Sequence, residues 1–120
     1  MGLSRISRAS ISALPTMSQF DVHRNPVTAA RRGYPYVVVL QSDLSASGSE
    51  RVVAPAAPRA AFPDISGRLT PVLQVDGKEF VLLVTALTAI PASSLEKIVA
   101  SLAGRRDDIL AAVDYLFFGV

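Results

Sequence analysis

The sequence of 120 residues contains no cysteine and a single histidine, His23. The absence of cysteine excludes a thiol nucleophile, a disulfide and a cysteine metal site, and it suits the reducing cytoplasm, where we expect the protein to act. His23 lies on a predicted strand and has no serine or cysteine partner nearby in sequence. We therefore expect it to face solvent, and we predict neither catalytic residues nor a metal site.

Long apolar runs, nucleotide-binding glycine motifs and strong net charge are also missing. No run of about 18 apolar residues is present, so the sequence predicts no membrane-spanning segment. The glycines do not form a G-x-x-x-x-G-K-[ST] or G-x-G-x-x-G pattern, so we predict no nucleotide and no other cofactor. The net charge is +2 and the basic residues are scattered, which argues against nucleic acid as the main ligand. These absences indicate a protein that binds rather than an enzyme.

The length and the 50% apolar content predict one compact domain. Residues 1–16 contain two arginines and no acidic residue. They lack the apolar stretch of a secretory signal and offer no periodic apolar face. We expect residues 1–16 to be a disordered extension that follows an upstream start codon, and residues 17–120 to form the domain.

Several short segments have the β-branched, aromatic or alternating pattern of strands. We expect Pro55 and Pro58 to end the third of them. The Asp76-Gly77 pair between two apolar runs predicts a tight hairpin with positive φ angles. Ser93 and Glu96 form a candidate capping box for a brief turn or helix. The predicted strands are residues 19–23, 34–43, 51–55, 72–75 and 79–84.

Residues 105–120 have the clearest helical pattern in the sequence. Apolar side chains recur at the spacing of one helix face, and Asp107 and Asp108 would lie in the first turn, where the helix dipole favours negative charge. Adjacent residues on a helix point about 100° apart, so we expect Phe117 in the core and Phe118 exposed. The predicted fold is a small, mainly antiparallel β domain closed by one C-terminal α-helix. The apolar face consists of Ile109, Val113, Leu116, Phe117 and Val120.

Six blocks, taken in order, resemble the CcdB family of bacterial toxins. No block is specific alone, but together they run from Met17 to the last residue. The resemblance implies an SH3-like antiparallel barrel with a C-terminal helix and a homodimer. It also implies that the protein binds the A subunit of DNA gyrase while DNA is cleaved. A CcdA-like antitoxin would neutralise the toxin, and the two proteins together would repress their shared operon. The toxin would then contact DNA only indirectly, through the antitoxin complex. The blocks are residues 17–22, 39–44, 51–55, 71–75, 89–91 and 116–120.

The resemblance also implies a gyrase-binding set of residues, which includes two departures from the best-known members. Phe118 stands where those members have tryptophan, and Asp114 stands where they have asparagine. Both changes fall in the tail that the resemblance assigns to target binding. The positions carried over are Ser42, Leu44, Asp114, Phe117, Phe118, Gly119 and Val120.

Two other functions stay open at this point. One is a MazF-like endoribonuclease, since those toxins are related dimeric barrels. Its only candidate polar residues would be Arg31, Arg32 and Thr85, and no group for proton transfer is evident. The other is an inert binding module that retains antitoxin or dimer contacts without toxicity.

Overall fold

The computed structural model describes residues 17–65 and 67–120. The extension expected at residues 1–16 lies outside the described residues. Within the described ranges the chain forms seven strands and one α-helix, joined by loops and short 3-10 turns. The elements are β1 (Asp21–Arg24), β2 (Tyr36–Val39), β3 (Glu50–Pro58), β4 (Val72–Val75), β5 (Lys78–Leu82), β6 (Thr88–Pro91), β7 (Ile98–Ser101) and α1 (Arg106–Phe118).

The strands form one antiparallel sheet in the order β4-β5-β3-β2-β1-β7, with β6 paired to β3 outside this path. The sheet curls into a half-barrel, and α1 follows the last strand. This confirms the predicted fold class, mainly antiparallel β with a C-terminal helix. Among the described residues, no helix combines the length and the apolar character that crossing a bilayer requires.

Strand β3 does not stop at Pro55, so that prediction was wrong. β3 runs to Pro58 and pairs with β2 along one edge; along its other edge β6 pairs with residues 50–53 and β5 with residues 56–58. The Pro55 carbonyl accepts from the Leu83 N–H (3.0 Å), so the proline nitrogen also faces this second edge. The missing N–H therefore falls between the segments of β3 that pair with β6 and with β5, at the end of a ladder and not in its middle, where a proline is tolerated best.

The hairpin prediction is confirmed. Asp76 and Gly77 join β4 to β5 with φ angles of 56° and 79°, the pair of positive values that a tight hairpin turn uses. The capping box prediction was wrong, because the 3-10 turn Ala92–Ser94 has no side-chain cap and the Ser94 hydroxyl donates to the Pro91 carbonyl instead.

The sheet is covered on both faces. One face and α1 enclose the main core, to which β2 contributes Val38. The other face carries a smaller cluster with Val37 and Val39, against which Met17 packs. Strand β2 is thus buried on both faces, as its dense β-branched content predicts. The main core consists of Phe20, Val22, Val38, Ala54, Ala56, Leu73, Val75, Phe80, Leu82, Val84, Leu102, Ile109 and Ala112.

His23 is fully buried, so the expectation that it faces solvent was wrong. Its Nδ1 lies 2.6 Å from the Glu96 carbonyl oxygen and donates to it. The alternating pattern assumed that one face of β1 is solvated. In the structure β1 lies between β2 and β7, and the segment that leads into β7 covers the side chain of His23.

Candidate partner-binding surface

Gly119 ends helix α1 in the left-handed conformation, with φ at 72°. Its N–H donates to the Tyr115 carbonyl oxygen (3.1 Å), which satisfies one of the carbonyl groups left free at the last turn. Glycine reaches this conformation without the steric cost that a Cβ adds. Val120 therefore leaves the helix axis instead of continuing the apolar face on which the sequence pattern placed it.

Both terminal phenylalanines are exposed. Phe118 is 75% exposed as expected, but Phe117 is 59% exposed, and its predicted core position was wrong. The buried arc of α1 centres on Ile109 and Ala112. At 100° per residue Phe117 lies about 80° around the helix from Ile109, at the flank of that arc. The two phenylalanine rings lie 6.4 Å apart, and Val120 beside them is 70% exposed.

A groove of about 500 Å³ runs between the exposed flank of α1 and the loop after β2. The loop contributes Ser42 to one wall and the helix contributes Phe117 to the other. The structure thus brings together two candidates that are 75 positions apart in the sequence. The groove is mostly apolar; its other lining residues are Gln19, Phe20, Leu40, Gln41, Ser45, Val52, Leu87, Ile109, Leu110 and Val113.

The loop after β2 presents Leu44 entirely to solvent, with 99% of its surface exposed. Leu44 belongs to the 3-10 turn Asp43–Ser45, and the Ser42 hydroxyl caps this turn by accepting from the Leu44 N–H (3.1 Å). A leucine with no cover gains nothing from folding in the isolated chain. An ordered turn that holds such a side chain outward suits contact with a partner.

The other carried-over residues lie outside the groove lining. Asp114 is exposed on α1, and Phe118 and Val120 are exposed at and just after its last residue. One contact at the helix was missed by sequence reasoning: the Arg68 guanidinium lies 4.3 Å from the centre of the Tyr115 ring. This cation–π pair fixes a loop against the last turns of α1, and no local signal connects two residues so far apart in the chain.

The structure gives little support to a nuclease site. The Arg31 Nε donates to the Asn25 carbonyl oxygen (2.5 Å) and so holds its own loop, while Arg32 and Thr85 are exposed. His23, the one imidazole, is buried. Within residues 17–65 and 67–120, no group of three or more histidine or acidic side chains is placed to hold a metal ion.

Comparison with protein families adds an independent finding. The family model described as CcdB protein matches residues 19–119. The match begins just before β1 and ends at Gly119, so it covers nearly the whole chain. It includes every carried-over site residue except Val120.

Proposed function

Because the chain belongs to the CcdB family, we propose that this toxin of a toxin–antitoxin system binds the A subunit of DNA gyrase and traps its cleaved complex with DNA. The proposal depends above all on one observation at the end of α1. There, Phe117, Phe118 and Val120 each have more than half of their surface exposed. Large apolar side chains grouped at one exposed site are typical of a protein interface.

The recognition surface we propose has two parts. The tail contributes Phe118, with Phe117 and Val120 beside it, and the loop after β2 contributes Leu44. Ser42 and Phe117 line the groove between these parts, which offers a concave apolar site to a side chain of the partner. Asp114 lies one helical turn before Phe118 and is exposed, so it adds a charged group near the tail. Gly119 shapes the tail without a side chain of its own.

Phe118 is the residue on which affinity should depend most. The resemblance to the family implies that this terminal aromatic meets an arginine of gyrase. A cation over an aromatic face is attracted by the ring quadrupole, and tryptophan is the best ring for this contact. With phenylalanine at this position, the same contact should be weaker.

We further propose that the chain acts without catalysis, as a homodimer. In this proposal a CcdA-like antitoxin neutralises it, and the toxin and antitoxin together repress their shared operon. DNA would then be contacted through the antitoxin complex. This fits the scattered charge, since no large excess of basic residues is available for direct phosphate binding.

Calorimetric titration against the gyrase A fragment tests the proposal. Phe118→Ala should abolish measurable binding, and Phe118→Trp should strengthen it by about 0.5 to 1 kcal/mol, a few-fold in affinity. Both variants should melt like the wild type because the side chain is exposed. Val27→Ala is a matched control, since Val27 is 55% exposed and lines a different groove. Wild-type binding by Phe118→Ala would remove the tail from the recognition surface.

Two further assays separate the alternatives. Cleavage of total RNA by the purified protein without metal would favour a nuclease over a gyrase poison. Normal growth of a culture at high expression would favour an inert binding module.

A further inference from the structure

The chain makes a strained turn immediately before β1. In residues 18–21 the Asp21 N–H donates to the Ser18 carbonyl oxygen (3.1 Å), and Phe20 has a φ of 72°. A left-handed conformation is sterically costly for a residue with a Cβ. It persists here because Phe20 is buried and its N–H donates to the Val39 carbonyl oxygen (2.7 Å). Strain of this kind is found where the surrounding structure fixes a functional segment.

This turn is joined to the loop that carries Leu44. The Gln19 N–H donates to Asp43 Oδ1 (2.8 Å), and the Gln19 Nε2 donates to the Leu40 carbonyl oxygen (2.9 Å). Gln19 thus bonds to the loop at two points, on either side of Ser42.

Gln41 holds the same loop from the side of β3. Its Oε1 accepts from the Val52 N–H (3.0 Å), and its Nε2 donates to the Ser45 carbonyl oxygen (2.9 Å). One amide side chain therefore bridges the strand and the end of the turn. Together with the two bonds from Gln19, four hydrogen bonds brace this turn. Its residue Leu44 contributes nothing to the core, because the side chain is exposed.

We propose that Gln19, Gln41 and Asp43 are positioning residues that hold Leu44 in its outward orientation before the partner arrives. This inference rests on the proposed function, since it assigns Leu44 to the gyrase-binding surface. A loop already fixed in its binding conformation loses less conformational entropy on association. The three polar residues raise affinity through Leu44. Gln19 and Gln41 also line the groove, whereas Asp43 does not, so Asp43 is the residue whose substitution tests positioning alone.

A double-mutant cycle between Asp43 and Leu44 tests this coupling in titrations against the gyrase A fragment. Leu44→Ala should weaken binding about tenfold, the loss of one well-packed interface side chain. Asp43→Ala should weaken binding by a similar factor, and Asp43→Asn should restore it because the amide oxygen can still accept from the Gln19 N–H. In the Leu44→Ala background, Asp43→Ala should cause no further loss. Equal losses in both backgrounds would overturn the positioning role.

Hydrogen exchange on the free protein distinguishes failure of this inference from failure of the proposed function. In Asp43→Ala the amides of Gln19 and Leu44 should exchange faster than in the wild type, while those of β2 stay protected. Unchanged exchange at both amides would overturn the brace even if gyrase is bound. Faster exchange, together with no wild-type binding to gyrase, would keep the brace and reject gyrase as the partner.

Discussion

Ile109 and Phe117 lie about two turns apart on α1 but differ completely in burial, and this difference predicts different responses to truncation. Ile109 is fully buried, so Ile109→Ala should destabilise the fold by about 2 to 5 kcal/mol. Phe117 keeps 59% of its surface exposed, so Phe117→Ala should cost only about 1 kcal/mol. Denaturant unfolding of the two variants beside the wild type measures both values.

A larger loss of stability in Phe117→Ala than in Ile109→Ala would show that Phe117 is a core residue, as the sequence pattern predicted. The titration adds a second readout, because Phe117 lines the groove. We expect Phe117→Ala to weaken gyrase binding more than it lowers the stability of the fold.

At the residue scale, the sequence could place polar and apolar side chains on opposite faces but not determine which faces are covered. His23 alternates with Phe20 and Val22 as an exposed residue would, yet the segment before β7 buries it. Phe117 has the helical spacing of a core residue, yet it lies at the flank of the buried arc of α1. Both errors have one cause: burial depends on packing between elements, which local periodicity does not contain.

At the scale of the element, Gly119 controls how α1 ends. A Cβ at this position would meet no atom within 4 Å, so the added Cβ itself would not clash. The φ of 72° is the obstacle, because it costs other residues about 1 kcal/mol or more. Gly119→Val should therefore redirect Val120 and the tail, impairing gyrase binding while the melt changes little.

Gly104 provides the control for this substitution. It lies before α1 and has no positive φ, and a Cβ at this position would also meet no atom within 4 Å. Gly104→Val should leave gyrase binding unchanged. Loss of binding in both glycine variants would point to a general effect of valine near the helix, not to the left-handed end.

Elements with strong local signals were predictable from the sequence. The hairpin depends on Asp76 and Gly77, which need only their own backbone preferences. The short strands β6 and β7 have no such signal, and they are ordered by pairing with β3 and β1. Pro55 was predicted to end a strand because proline cannot donate a ladder hydrogen bond. Whether a strand tolerates a proline depends on where its neighbouring strands begin and end, which the local sequence does not show.

At the scale of the whole molecule, a chain that starts at Met17 should fold and bind as the full chain does. It retains Met17, which packs against the smaller cluster on the outer face of the sheet. It also retains the whole region that matches the family model. Thermal melts and gyrase titrations of the two chains provide the comparison, and a fall of many degrees on truncation would show that residues 1–16 contribute to the fold.

Strand β1 pairs with β7, although the two lie at nearly opposite ends of the described chain. During synthesis β1 therefore emerges long before the strand that covers its outer edge. An uncovered strand edge invites pairing with another chain, and such contacts lead to aggregation. Asp21 and His23, both buried in the finished fold, are polar side chains that water solvates before β7 is made. We therefore expect the polar side chains that the completed sheet encloses to oppose pairing of the nascent strand with another chain until β7 has been synthesised.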